Sequence, residues 1–194
     1  MIYVIMGKSS SGKDTIYHRL LEDETLDLHR VVTYTTRPMR QNEKNGVEYF
    51  FTDVGNMLKL EEQGRVIEKR CYNTVHGEWN YFTVDDGKTD IHMGDYLVIG
   101  TLESYESIKK YYGENLVYPL YVEVENGERL SRALEREKSQ NSPKYTEMCR
   151  RFIADEEDFS EEKLNRLEIH ERYVNDDIDN CIQLISRTIK AKKQ

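Results

Sequence analysis

Three cysteines in 194 residues are too few and too scattered for a stapled scaffold: Cys71, Cys149 and Cys181 make no close pair of the kind zinc sites and disulfide frameworks need. A reducing cytoplasm is the expected setting. Long apolar runs are missing too. Ile2 to Met6 is far shorter than the core of a secretory leader, and no other segment approaches the roughly 20 apolar residues of a membrane helix. An excess of positive charge is also absent, because 28 Lys and Arg stand against 36 Asp and Glu, a net charge of -8. Nucleic acid and anionic membrane surfaces repel such a chain, so neither is expected as a partner, and any phosphate site must be a local cluster of cations. There is no internal repeat and no low-complexity stretch.

What is present is an alternation. Ile2-Tyr3-Val4-Ile5-Met6 runs apolar into Gly7, the pattern of a strand buried on both faces, and Ile16, Leu20 and Leu21 follow at helical spacing. Tyr96 to Gly100 and Val117 to Val124 read as further core strands, each followed by a helical segment, Ser104 to Tyr112 and Gly127 to Lys138. The expected architecture is α/β, a central parallel sheet with helices on both faces. Tyr49-Phe50-Phe51 and Val66-Ile67-Glu68, with turn signals at Asn45-Gly46 and His76-Gly77, predict a small antiparallel insertion. A polar stretch carrying Pro143 predicts a lid, residues 148 to 172 a charged helical stretch, Tyr173-Val174 a short strand, and Ile178 to Ile189 a closing helix. The chain is therefore expected to be one domain, with a core of 1–35 and 96–194, an insertion of about 36–95 and a lid of about 136–151.

Residues 7 to 15 read G-K-S-S-S-G-K-D-T, the G-x-x-x-x-G-K core of a phosphate-binding loop between a buried strand and a helix. Gly7 and Gly12 let the backbone curl so that N–H groups of Ser9, Ser10, Ser11 and their neighbours point inward at a β-phosphate. Lys13 neutralises charge on the β- and γ-phosphates, aided by the positive end of the helix that follows. Where this motif usually carries Ser or Thr as a Mg²⁺ ligand, the chain has Asp14, a hard carboxylate able to meet the ion directly or through water; Thr15 is the next hydroxyl.

The loop establishes nucleotide binding but no reaction. Residues 31 to 51, V-V-T-Y-T-T-R-P-M-R-Q-N-E-K-N-G-V-E-Y-F-F, resemble the guanylate kinase signature, and Val66-Ile67-Glu68 and Val174-Asn175-Asp176-Asp177 resemble two further segments of that family in the same order. The resemblance implies a P-loop NTPase fold and transfer of the γ-phosphoryl group of ATP, carried with Mg²⁺, to GMP. It implies that Arg37, Arg40 and Tyr49 hold the acceptor phosphate, that Thr33 and Glu68 face guanine, and that Asn175 lies beside the adenine pocket. It also implies phosphate-contacting arginines in the lid, for which Arg136 and Arg151 are the choice here among Arg132, Arg136, Arg150 and Arg151.

The residue types suit those roles. Two arginines three apart can deliver several N–H donors to one phosphate, and a tyrosine hydroxyl adds a neutral one. One carboxylate can accept from both N1–H and the amino group of guanine, whereas adenine offers an acceptor at N1. The chain departs from the family at Val98 to Glu103, which lacks the usual aspartate, and in a longer loop before Tyr81 and Thr83, the expected stand-ins for base and phosphate contacts. Two other readings stay open on the residues alone: a kinase of another phosphorylated small molecule, and a non-catalytic protein-binding module of the same fold. Retention of Lys13 speaks against the module. His18, His29, His92 and His170 show no metal spacing and read as surface residues, and Trp79 as an anchor of the insertion.

Overall fold

The computed structural model describes residues 1–74 and 77–193, so the turn signal at His76 lies outside the described residues. Five strands form a parallel sheet in the order β2-β7-β1-β8-β9: β1 is Ile2–Met6, β2 Leu28–Arg30, β7 Asp95–Ile99, β8 Val117–Glu123 and β9 Tyr173–Val174. Every residue of β1 is buried. The alternation of a strand explains how. Ile2, Val4 and Met6 enter one core with Leu102, Tyr105 and Ile108 of helix α3 (Leu102–Tyr112) and with Phe159, Leu164, Leu167 and Ile169. Tyr3 and Ile5 enter the opposite core with Ile16, Tyr17 and Leu20 of α1 (Lys13–Glu22) and with Cys181, Ile185 and Ile189 of α7 (Ile178–Lys192). A central strand covered on both faces needs the near-continuous apolar run seen in the sequence.

A second sheet, ordered β4-β3-β6-β5, is built from β3 (Tyr34–Thr35), β4 (Phe50–Phe51), β5 (Val66–Thr74) and β6 (Gly77–Val84). It is mixed rather than antiparallel, because β3 and β4 run parallel, joined by the long 36–49 segment that a hairpin could not accommodate. One face packs Phe82 and Val84 on Met57 of α2 (Val54–Glu62), with Tyr34, Leu60 and Val66 beside them. The other face is left to the site.

The charged stretch after residue 144 is not one helix. It divides into α5 (Tyr145–Asp158) and α6 (Glu161–Arg166), with Ser160 capping α6 by accepting from Lys163 N. Phe159, in the break, turns into the core. Residues 139–144 join α4 (Asn126–Lys138) to α5, and buried Glu137 closes this turn by accepting from Lys144 N at 2.9 Å.

Candidate active site

The phosphate loop leaves β1 at the carboxyl edge of the sheet, where ligands bind in open α/β folds. Gly12 has φ 83, and a Cβ there would run into Asn175 Nδ2. Asn175, 2% exposed, donates that Nδ2 to Ser11 O at 2.8 Å, so the segment after β9 buttresses the loop from behind. A Cβ on Gly7 would meet Val122 O and Ser11 Oγ. The hydroxyls of Ser10 and Ser11 are buried with no hydrogen-bond partner, and Ser10 sits at φ 63, a costly backbone for a serine. Unpartnered donors curled around a concave turn suit an anion. Lys13 and Asp14 open α1; Lys13 Nζ lies 3.6 Å from an Asp14 carboxylate that is itself 73% exposed, and Thr15 is exposed. A cleft of about 420 Å³ opens nearby between Lys8, Val124, Asn126 and Asp176.

On the free face of the second sheet, cross-strand pairing assembles the other predicted residues. Glu68 opposes Thr83, Arg70 opposes Tyr81, and Tyr81 opposes Thr35. Strict alternation would send Glu68 to the same side as Val66, into the Met57 core. A bulge between Val66 and Glu68 reverses the parity and re-aims the carboxylate at the site. Its side chain is 3% exposed; Oε1 accepts from Thr83 Oγ1 at 2.8 Å, and Oε2 from Arg70 Nε at 3.0 Å. Beyond Tyr81, Tyr49 lies edge-on at 5.6 Å, and the Arg37 guanidinium sits 5.1 Å from the Tyr49 ring centre.

Arg37 is buried and forks onto Glu43 at 2.7 and 2.5 Å, with Nε left unpartnered. The guanidinium holds the Glu43 carboxyl down from 4.5 to about 2. The Thr33 carbonyl accepts from Phe50 N, and Arg40, exposed, gives its backbone N–H to Glu43.

The arginines expected of a lid are not gathered on a site. Arg150 and Arg151 both pair with Glu147 at 2.8 Å on the outer face of α5, while Arg136 is exposed and its guanidinium has no ion pair among the described residues. Arg132 reaches the carbonyl of Asn175 at 3.1 Å. His18, His29, His92 and His170 are all exposed, and no cluster of three metal-ligating side chains occurs among the described residues.

Sequence reasoning passed over three groups. Arg70 lies two residues beyond Glu68 on one strand, hence on its face, and that spacing was its only signal. Glu43 is the counter-ion of Arg37. Arg129, 1% exposed, occupies the buried stripe of α4 with Ala133 and Glu137, and the four-residue spacing of those positions marked it.

Known proteins resemble the whole arrangement. Residues 1–192 match the guanylate kinase family. The guanylate kinase of Porphyromonas gingivalis is 27% identical over 191 residues, covering 97% of this chain and 95% of that protein. A shorter stretch of 81 residues is 36% identical to the guanylate kinase of Baumannia cicadellinicola, 40% of each chain. The fold also matches the crystal structure of guanylate kinase from Anaplasma phagocytophilum, with a TM-score of 0.64 at 21% identity over all of this chain and 86% of that one. A phosphate loop braced by Asn175, a second sheet whose open face carries Glu68 and Arg37, and a family match that spans both lead to one assignment: this chain belongs to the guanylate kinase family.

Proposed function

We infer that this chain transfers the γ-phosphoryl group of ATP to GMP, giving ADP and GDP. The observation that carries this reading is the free face of the second sheet, where a buried carboxylate for the guanine edge and a buried arginine for the phosphate flank a tyrosine pair. Glu68 accepts from N1–H and the 2-amino group of the base, Thr83 and Thr33 complete the base pocket, and Arg37, Arg40, Tyr49 and Tyr81 hold the phosphate. The unpartnered Nε of Arg37 supports this, since it is a buried donor awaiting an acceptor.

ATP lies with its β- and γ-phosphates in the loop formed by Gly7, Ser10, Ser11, Gly12, Lys13, Asp14 and Thr15, and its base toward Asn175; Ser9, whose N–H the motif aims at the phosphate, gives it to Asp155 instead and so shapes the loop. Transfer asks the protein for alignment, cationic charge and exclusion of water. The acceptor phosphate oxygen is already nucleophilic, so no side-chain base is required. Lys13 and Arg37 face the migrating group, and Arg136 and Arg151 are brought to it when the 136–151 lid closes. Mg²⁺ carried with ATP supplies further neutralisation of the phosphate oxygens. The donor set fits that ion: Asp14 is a hard oxygen ligand, mostly exposed and engaged only loosely by Lys13. The cytoplasm is the fitting setting, because it keeps the free thiols of Cys71, Cys149 and Cys181 reduced.

A coupled ADP-release assay with ATP, Mg²⁺ and each of GMP, AMP, CMP and UMP tests the reading, with Lys13→Ala as the inactive control. Turnover with GMP alone or in large preference supports it. ATP binding without turnover on any nucleotide overturns it.

A further inference from the structure

The phosphate loop is tied to the lid helices by a group of charges, centred on the buried Arg129, that the reaction above does not use. Arg129 of α4 donates from Nη1 to Asp155 Oδ2 at 2.9 Å and to Ser9 O at 3.4 Å, and from Nη2 to Glu156 Oε1 at 2.5 Å and to Asn126 Oδ1 at 3.3 Å. Its guanidinium lies 4.0 Å from the centre of the Phe152 ring. Asp155 Oδ2 also accepts from Ser9 N at 2.8 Å, and Glu156 Oε2 accepts from Lys8 Nζ at 2.7 Å. The Ser9 N–H and the Lys8 ammonium are thus held by adjacent carboxylates of α5, the Ser9 carbonyl is held by Arg129 itself, and that arginine also orders both carboxylates.

We propose that Arg129 is a positioning residue for ATP: through Asp155 and Glu156 it sets the Lys8–Ser9–Ser10 backbone in the shape that receives the phosphates before nucleotide arrives. This rests on the reading of residues 7–15 as the ATP site. Three features of the group argue for it. Ser10 is held at φ 63, a conformation that persists only when its surroundings over-determine it, and the Ser9 contacts are the adjoining restraint. The two carboxylates balance two cations, Lys8 and Arg129, so the group is neutral and the fully buried guanidinium of Arg129 is compensated. Only a planar fork spans the geometry: one guanidinium meets Ser9 O and both carboxylates at once, which a lysine ammonium cannot. The anchor also holds α4 at Arg129 and α5 at Asp155 and Glu156, so the 136–151 lid closes beyond it.

The test is ATP affinity in Arg129→Lys and Asp155→Asn, two variants that keep volume and avoid stranding a bare buried charge. Calorimetric titration of ATP and steady-state kinetics are read on the same preparations, with circular dichroism to establish folding. Loss of preorganisation raises the Kd and KM for ATP about tenfold or more, while the KM for GMP stays within about twofold. A role in stability alone lowers the melting temperature and leaves the ATP constants unchanged, and that result overturns the proposal. A wild type that binds ATP without phosphorylating GMP contradicts the kinase reading instead, and the titration then judges Arg129 by itself.

Discussion

At the scale of single residues, the proposed acceptor site is made of groups that are already committed to one another. Arg37 is held by Glu43 and Glu68 by Arg70, so the substrate arrives at a charged framework that needs little reordering. The Glu43–Arg37 pair has a consequence for acid stability. The carboxyl falls from 4.5 to about 2 in the folded chain, so its contribution is complete above about pH 4.5 and disappears as the pH drops toward 2. Solvent screening limits the contribution to about 1–2 kcal/mol. In Glu43→Gln, urea unfolding between pH 5 and 2.5 should show a shallower loss of stability than the wild type; parallel curves would remove this pair from the account. Lys13→Ala should lower kcat by about 100-fold or more with the fold intact, measured by ADP release, because the loop amides alone do not neutralise the transferring charge.

At the scale of elements, the second sheet works because its two faces differ. Phe82, fully buried on Met57 and Val84, is the pivot of the apolar face. Phe82→Ala should destabilise the protein by about 3–5 kcal/mol in denaturant unfolding, and a cost below about 1 kcal/mol would mean that α2 does not pin this sheet. The sequence made much of the framework legible. A fully buried β1 shows as an unbroken apolar run, and the loop after it as a glycine pattern, because both are local. The bulge before Glu68 was not legible: it depends on how β5 meets β6, and the Val66-Ile67-Glu68 string alone puts Val66 and Glu68 on one face. The parallel β3–β4 pairing was missed for the same reason, being set by a 14-residue connection whose path tertiary contacts decide. Residues 148–172 read as a helical stretch because Glu, Lys and Arg favour helix, while Phe159 is drawn inward by the core.

At the scale of the molecule, the phosphate loop and the α4–α5 arm meet at the carboxyl edge of the parallel sheet, and the proposed reaction asks the open face of the second sheet to supply the acceptor opposite them. Saturation with ATP at about 100 times its Kd should stabilise the fold by about 2.7 kcal/mol, raising the melting temperature by about 5–10 °C in the wild type and far less in Lys13→Ala. Equal shifts in the two proteins would place the nucleotide elsewhere. The exposed Arg136 and Arg151 belong to this scale as well, since the proposed role on the phosphates requires closure of the arm. The central claim is that the buried carboxylate of Glu68 reads the acceptor base. The measurement that meets it most directly is kcat/KM for GMP and for AMP in the wild type and in Glu68→Gln. The account predicts a preference for GMP of about 100-fold or more that largely collapses in the variant through loss of GMP turnover. An unchanged preference in Glu68→Gln, or a wild type that favours AMP, would contradict it.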